Sequence, residues 1–218
     1  MHVPGDDPIL LSIAVLAQTV AHVLGWISTL QTQTYRRKFF QAYIDEKDAK
    51  EMVAYLANID PLTKSLTRRQ FMNIAESEFR RFQRYRRPLS ILILDADRFK
   101  RINDTYGHHA GDLALRSLSL VAMEQKRAQD TFGRLGGEEF GLLMPETTLD
   151  NAVVVAERIR HTWEASPVNL DGELIRSTMS IGAAEALSED RSLEDILRRA
   201  DRMLYKAKES GRNRVMAE

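Results

Sequence analysis

The chain is predicted to be an α+β protein with a ferredoxin-like βαββαβ core, preceded by an N-terminal helical segment. Three observations predict it. Leu89–Leu94 is an unbroken apolar run of strand length, apart from Ser90. Gly136 and Gly137 stand between two apolar stretches, Thr131–Leu135 and Phe140–Met144. Glycine permits the tight turn that joins two such strands. Helical stripes then alternate with these strands. Leu113, Leu118 and Val121–Ala122 mark one, and Ala152, Val153, Ala156, Ile159 and Trp163 mark another. Thr178–Ile181 supplies a further strand. From Leu89 the order reads strand, helix, strand, strand, helix, strand, helix, and βαββαβ lies within it.

Taken in order, Met1–Pro8 is short and carries Asp6 and Asp7. Ile9–Leu30 has no charged residue and is long enough to span a bilayer as a helix, which needs about 20 residues. Trp26 and Tyr35 lie where interfacial aromatics are expected, and Arg36, Arg37 and Lys38 follow. The positive-inside rule then places the rest of the chain in the cytoplasm, anchored to the cytoplasmic (inner) membrane. The alternative is a buried or dimerising helix of a cytoplasmic protein. Ser12, Gln18, Thr19 and His22 make the segment less apolar and favour packing against other helices. A cleavable signal peptide has a shorter apolar core and its positive flank before it.

Tyr35–Asn58 reads as a continuous helix. Ala49, Met52, Leu56 and Ile59 alternate spacings of three and four, a short dimeric coiled-coil seam or the face of a helix packed on its own domain. Residues 1–30, 31–59 and 60–218 are therefore expected to be an anchor, a helical linker and the main folded domain. A helix over Arg68–Tyr85 precedes the first strand. Ser192 with Asp195 has the spacing of a capping box, opening a last helix whose apolar face is Leu193, Ile196, Leu197, Ala200 and Leu204.

The 218 residues, 44% hydrophobic, suffice for one well-buried domain and an extension. Lys+Arg and Asp+Glu both number 31, a balance that does not point to nucleic acid. The absence of cysteine excludes disulfides, thiolate metal sites and a thiol nucleophile.

Four segments carry the chemistry. Asp95, Asp97, Phe99, Lys100, Ile102, Asn103 and Asp104 follow the first strand. Gly107, His108, Gly111 and Asp112 come next. Arg134 precedes Gly136-Gly137-Glu138-Glu139-Phe140, and Ala207, Lys208, Gly211, Arg212 and Asn213 close the set. In this order and register they resemble the GGDEF family of diguanylate cyclases, whose pattern reads D-x-D-x-F-K-x-I-N-D, G-H-x-x-G-D, R-x-G-G-[DE]-E-F and A-K-x-x-G-R-N. The resemblance covers roughly Asp60 to Val215. It implies a fold like the palm of polymerases and nucleotide cyclases. It also implies a homodimeric nucleotidyltransferase that condenses two GTP into cyclic di-GMP and two pyrophosphates.

Magnesium prefers oxygen ligands, often one or two carboxylates plus substrate phosphates. By resemblance Asp95, Glu138 and the backbone carbonyl of Ala96 hold Mg2+, with Mn2+ as a possible substitute, and Asp97 is a weaker candidate. Glu138 is also the base implied for the 3′-hydroxyl. Lys100 offers positive charge to phosphate, and turn amides around Arg98–Lys100 suit an anion. Lys208 and Arg212, one helical turn apart, are expected to share a face and grip the triphosphate. Asn103 and Asp112 occupy guanine-contacting positions, with Leu62 in that pocket and His108 beside it. Asn103 also reads as a helix cap. A carboxylate that accepts from guanine favours GTP over ATP.

Arg127 and Asp130 stand at the spacing of an inhibitory product site, with Arg158 as a secondary contact. Arginine suits paired phosphates because its fork is planar and permanently charged. One stretch departs from the family's D-x-L-T-G-L-x-N-R-R opening. Lys64 and Thr67 replace the glycine and the asparagine, so the turn there is expected to be built differently. Two rival readings are a non-catalytic cyclic di-GMP receptor and a cyclase making a mixed cyclic dinucleotide.

Overall fold

The structure, a computed structural model, describes residues 8–218. The side chains of residues 8, 34, 48, 51 and 54–57 are not described, so residues 1–7 of the Met1–Pro8 segment and the Leu56 side chain of the seam lie outside the described residues. Two units divide the chain, Met1–Ala54 and Tyr55–Glu218.

Helix α1 runs unbroken over Pro8–Asn58. Its stretch Ile9–Lys47 is long and apolar enough to cross a membrane. Thr19, His22 and Thr29 within it bond to their own helix backbone. The Thr19 hydroxyl donates to Leu16 O at 2.8 Å and Thr29 to Gly25 O at 2.9 Å, while His22 Nδ1 meets Gln18 O at 2.6 Å. A helix satisfies its main chain internally, and these bonds do the same for the side chains. Met52 is exposed, and Ile59 is off the helix, in a bridge to Leu66. The seam therefore loses its last member.

The second unit is built on a mixed sheet. Strand β1 is Leu66–Thr67, followed by helix α2 (Arg68–Tyr85) and strand β2 (Leu89–Ala96). Helices α3 (Phe99–Tyr106) and α4 (His108–Gln125) lead to strands β3 (Thr131–Gly136) and β4 (Glu139–Pro145). Helix α5 (Leu149–Glu164), a small hairpin of β5 (Val168–Leu170) and β6 (Glu173–Ile175), and strand β7 (Met179–Glu185) come next. Helix α6 (Leu193–Glu209) and strand β8 (Val215–Ala217) end the chain. The sheet order is β1-β3-β4-β2-β7-β8. Its middle four strands have the ferredoxin-like order, and β1 and β8 add parallel edges.

β2 alternates between two cores. Leu92, Leu94 and Ala96 join the cluster with α4 and α5, whereas Ile91 and Ile93 join the cluster with α2 and α6. Helices on both faces explain why β2 reads as a continuous apolar run rather than an alternating one. α6 lies close on β7. A Cβ at Gly182 would sit 2.0 Å from Ala200 O, so no side chain fits there. The helix predicted after β2 is split in two at Gly107, whose φ is 83°. The capping box of Ser192 and Asp195 is formed.

Candidate active site

The sheet register brings the acidic residues together. Asp95 pairs with Glu139 across β2 and β4, and Ala96 N donates to Glu138 O at 3.4 Å. The hairpin turn is Gly137–Glu138, one residue later than the sequence suggests, with Gly137 at φ 47°. Gly136 remains on β3, where the register shifts. Glu138 is thus in the turn itself, and Glu139 is on the strand.

Asp95 is 5% exposed, and Lys208 Nζ lies 2.7 Å from its Oδ2. Burial pushes the Asp95 carboxyl up to about 6; Lys208 opposes the rise, and the charges of Glu138 and Glu139 add to it. The Asp95 carboxylate thus lies beside a cation, with the charge of Glu138 acting on it from the hairpin. Among the described residues no group of three or more metal-binding side chains occurs.

Arg134 fixes the hairpin. Its Nε and Nη2 donate to Gly137 O at 2.9 and 2.7 Å, and its Nη1 reaches Asp60 Oδ1 at 3.3 Å. Asp60 also accepts from Thr63 N and Thr63 Oγ1, both at 2.8 Å. Partial burial raises the Asp60 carboxyl, but Thr63 and the Arg134 guanidinium outweigh it and hold the group below its ordinary range. The Asp60 turn therefore supports the position of Glu138 through Arg134.

Lys64 adopts φ 59°, the left-handed conformation that glycine takes freely. The cost for a side-chain-bearing residue is about 1–2 kcal/mol. Glycine returns roughly 0.5–1 kcal/mol of that through the freedom of the unfolded chain. Lys64→Gly is thus expected to raise the thermal midpoint by a few degrees, roughly 2–4 °C per kcal/mol. A lower midpoint in a calorimetric melt would contradict the strain at Lys64.

Arg98, at φ 55°, opens α3, and Lys100 is exposed on its first turn. Asn103 is inside α3 and is no N-cap; Gly107 N donates to its backbone carbonyl at 2.9 Å. Its side chain lies against α4, where a Cβ on Gly111 would come within 2.0 Å of Asn103 Oδ1. Asp112 follows, half-buried, His108 is the exposed first residue of α4, and Leu62 packs on the adjoining core. Asn103 and Asp112 thus come from two helices that meet at Gly111.

Lys208 is on the last turn of α6, but Arg212 is not on that helix. Gly211, Arg212 and Asn213 take φ values of 113°, 64° and 47°, so the chain leaves the helix before Arg212. Asp97, read as a weak ligand candidate, is committed to this turn. It accepts from Asn213 N at 3.0 Å, Ser180 Oγ at 2.7 Å and Thr178 Oγ1 at 2.7 Å. Sequence reading missed the other brace. Arg160, 7% exposed, donates to Asn213 Oδ1 at 2.7 Å, and Asn213 Nδ2 donates to Glu164 at 2.8 Å.

At the Arg127–Asp130 turn, Asp130 Oδ2 accepts from Arg127 N at 2.8 Å. Asp130 Oδ1 is buried without a hydrogen-bond partner, and the Arg127 side chain is exposed. Arg158, on α5, donates from Nη2 to Gln125 O at 2.7 Å, which brings it to the same turn.

The family model described as "Diguanylate cyclase, GGDEF domain" matches residues 57–214. The chain is 36% identical over 221 residues to diguanylate cyclase DgcM of Escherichia coli, covering 99% of this chain and 52% of that protein. The chain therefore spans about half the length of that relative. Among solved structures, the coiled coil and GGDEF domain of DgcB from Caulobacter crescentus, in complex with c-di-GMP, has a TM-score of 0.79 at 27% identity. It covers 84% of this chain and 97% of its own. The active GGEEF domain of a diguanylate cyclase from Vibrio cholerae has a TM-score of 0.66 at 35% identity, covering 69% and 96%. With the match running from residue 57 to 214, through both carboxylates and the Lys208–Asn213 turn, the chain belongs to the GGDEF-domain diguanylate cyclase family.

Proposed function

We propose that the chain condenses two GTP molecules into cyclic di-GMP and two pyrophosphates, working as a homodimer. The observation that carries this reading is the meeting of Asp95 and Glu138 at the end of β2, with Lys208 2.7 Å from Asp95. The ion pair with Lys208 is in keeping with positive charge beside this carboxylate, and the oxygen donors of Asp95, Glu138 and the Ala96 carbonyl suit Mg2+ or Mn2+. When bound, such an ion neutralises phosphate charge.

Asn103, Asp112, Leu62 and His108 hold the guanine, and the polar pair rejects a base that leaves it unmatched. Lys100, Lys208 and Arg212 face the phosphates. Glu138 takes the proton of the 3′-hydroxyl. The 3′-oxygen attacks the α-phosphorus of the GTP on the other protomer, and the bond to pyrophosphate breaks. The reciprocal attack closes the ring. Ile9–Leu30 anchors the protein in the membrane, with the second unit in the cytoplasm, and Arg127, Asp130 and Arg158 bind product as an inhibitor.

A second reading, a cyclic di-GMP receptor without catalysis, has its own support. The DgcB structure named above contains c-di-GMP, and here Asp130 Oδ1, in the Arg127–Asp130 turn, is buried without a hydrogen-bond partner. One incubation with GTP and Mg2+, followed by separation of the nucleotides, decides. Cyclic di-GMP as product supports the cyclase. No product from GTP together with binding of added cyclic di-GMP supports the receptor, and a dinucleotide containing adenine, formed when ATP is supplied alongside GTP, shows relaxed specificity.

The Asp95 carboxyl gives the cyclase reading a pH signature. Its raised value means that the folded state favours the neutral form. The stability gained from that proton is complete below the ordinary carboxyl value and is lost as pH rises through about 6. A cation needs the ionised form, so proton and metal compete. Initial rates should fall on the acid side of about 6, and the midpoint should move to lower pH as Mg2+ is raised. A midpoint indifferent to Mg2+ would detach Asp95 from the metal.

A further inference from the structure

Lys126 is the C-cap residue of α4, and its backbone N–H donates to Ala122 O at 3.2 Å. A cation in that place ordinarily serves the last carbonyls of its own helix. The Lys126 ammonium instead reaches forward, past the helix, onto the turn that follows. Its Nζ donates to Arg127 O at 3.1 Å and to Asp130 O at 2.9 Å.

These two bonds tie the first and last carbonyls of the Arg127–Asp130 turn to one ammonium. Within the turn, Asp130 N donates to Arg127 O at 3.1 Å, and Arg127 N donates to Asp130 Oδ2 at 2.8 Å. Ala128 and Gln129, between them, are exposed. Lys126 and Asp130 line a hollow of about 270 Å³ with Lys64, Met123 and Phe132, so on that flank packing does not back the turn. Hydrogen bonds hold the main chain there, and Lys126 supplies two of them. The groups that recognise a ligand stay free of this work. The Arg127 side chain is exposed, and Asp130 Oδ1 has no hydrogen-bond partner among the described residues. A loop held in its bound shape avoids the ordering cost that a mobile one meets on binding.

We infer that Lys126 is a positioning residue for feedback: its ammonium holds the Arg127–Asp130 main chain in the shape that receives cyclic di-GMP. The inference rests on the reading of Arg127, Asp130 and Arg158 as a product site, and adds to it a residue outside that set. Lys126 acts through the turn rather than as a contact to the ligand, so its removal should weaken product binding and leave GTP binding alone.

The test is calorimetric titration of the full chain with cyclic di-GMP, without GTP. The parent is compared with Lys126→Met, which keeps an apolar stem and removes the ammonium. Lys126→Arg keeps the charge and offers a fork of donors to the same two carbonyls. Arg127→Ala marks the site, and thermal melts check the fold. Lys126→Met should bind cyclic di-GMP at least threefold more weakly, with recovery in Lys126→Arg. A non-hydrolysable GTP analogue should bind Lys126→Met within threefold of the parent. Repeating the titrations at about 0.1 and 1 M salt separates position from charge, because the screening length falls from about 10 to about 3 Å. A loss that persists at high salt belongs to the held turn. The inference is overturned if Lys126→Met binds cyclic di-GMP within threefold of the parent. It is also overturned if the loss vanishes at high salt, which makes Lys126 a charge only, or if analogue binding falls with it, which makes the effect general. A parent that does not bind cyclic di-GMP, or whose binding survives Arg127→Ala, removes the product-site reading itself and the inference with it.

Discussion

Glu138→Gln is expected to cut cyclic di-GMP formation by about 10³-fold or more while the protein stays folded. Two losses combine. A positioned general base contributes typically about 10²–10⁴-fold, and the amide cannot take the 3′-hydroxyl proton. The amide also carries no charge to hold a divalent cation beside Asp95. Neither loss touches the core. Glu138 lies in the hairpin turn, half-buried, and its recorded link to β2 is made by its backbone carbonyl, which the substitution keeps. Arg134 still holds Gly137 O. Product separation after incubation with GTP and Mg2+ gives the rate, and a thermal melt gives the control. A variant that melts like the parent and works at close to its rate would remove Glu138 from the chemistry.

The central sheet was legible because its strands are apolar throughout, and the glycine pair announced the hairpin. The turn falls one residue later than the glycines suggest because Gly136 is taken into β3 at a register shift. A shift of this kind depends on the partner strand and leaves no local mark. β5, β6 and β8 are three residues each, too short for a period of two to show. The Asp60 turn was illegible for another reason. A missing glycine suggested another turn, but the Thr63 and Arg134 bonds to Asp60 hold the turn, and Lys64 takes the left-handed backbone.

The site divides in the same way. Asp95 and Glu138 were found because each belongs to a pattern, and the sheet brings the patterns together. Arg212 was placed on the helix by its spacing from Lys208, yet Gly211 ends that geometry. Arg160 could not be seen at all. It sits 53 residues from Asn213, and an arginine beside a helical stripe reads as surface. Its meaning comes only from burial and from the acceptor it meets. Asp97 shows the converse: a carboxylate next to a metal motif that is used for bracing.

Specific activity is expected to fall with dilution, and most steeply in a chain that begins at Tyr55. The proposed product needs two bound GTP, whereas each chain supplies one set of Asp95, Glu138, Asn103 and Asp112, so two chains must meet in every turnover. Well below the dimer dissociation constant, the paired fraction is proportional to concentration. A tenfold dilution then lowers the rate per chain by about tenfold, as mass action requires. The second unit has both apolar clusters to itself, so its fold should survive loss of α1. What it would lose is local concentration. On the proposed reading Ile9–Leu30 would confine chains to a plane and a helix pair along α1 would hold two copies together, each raising the effective concentration. Fusion of the Tyr55–Glu218 unit to an unrelated parallel dimeric coiled coil, in a suitable register, should restore the rate per chain and flatten its dependence on dilution. Initial rates over a range of concentrations, with mass by light scattering on the same samples, make the measurement. A Tyr55–Glu218 chain that scatters as a monomer and keeps a constant rate per chain would show that one protomer makes the product alone. The reciprocal attack between two facing GTP molecules would then have to be abandoned.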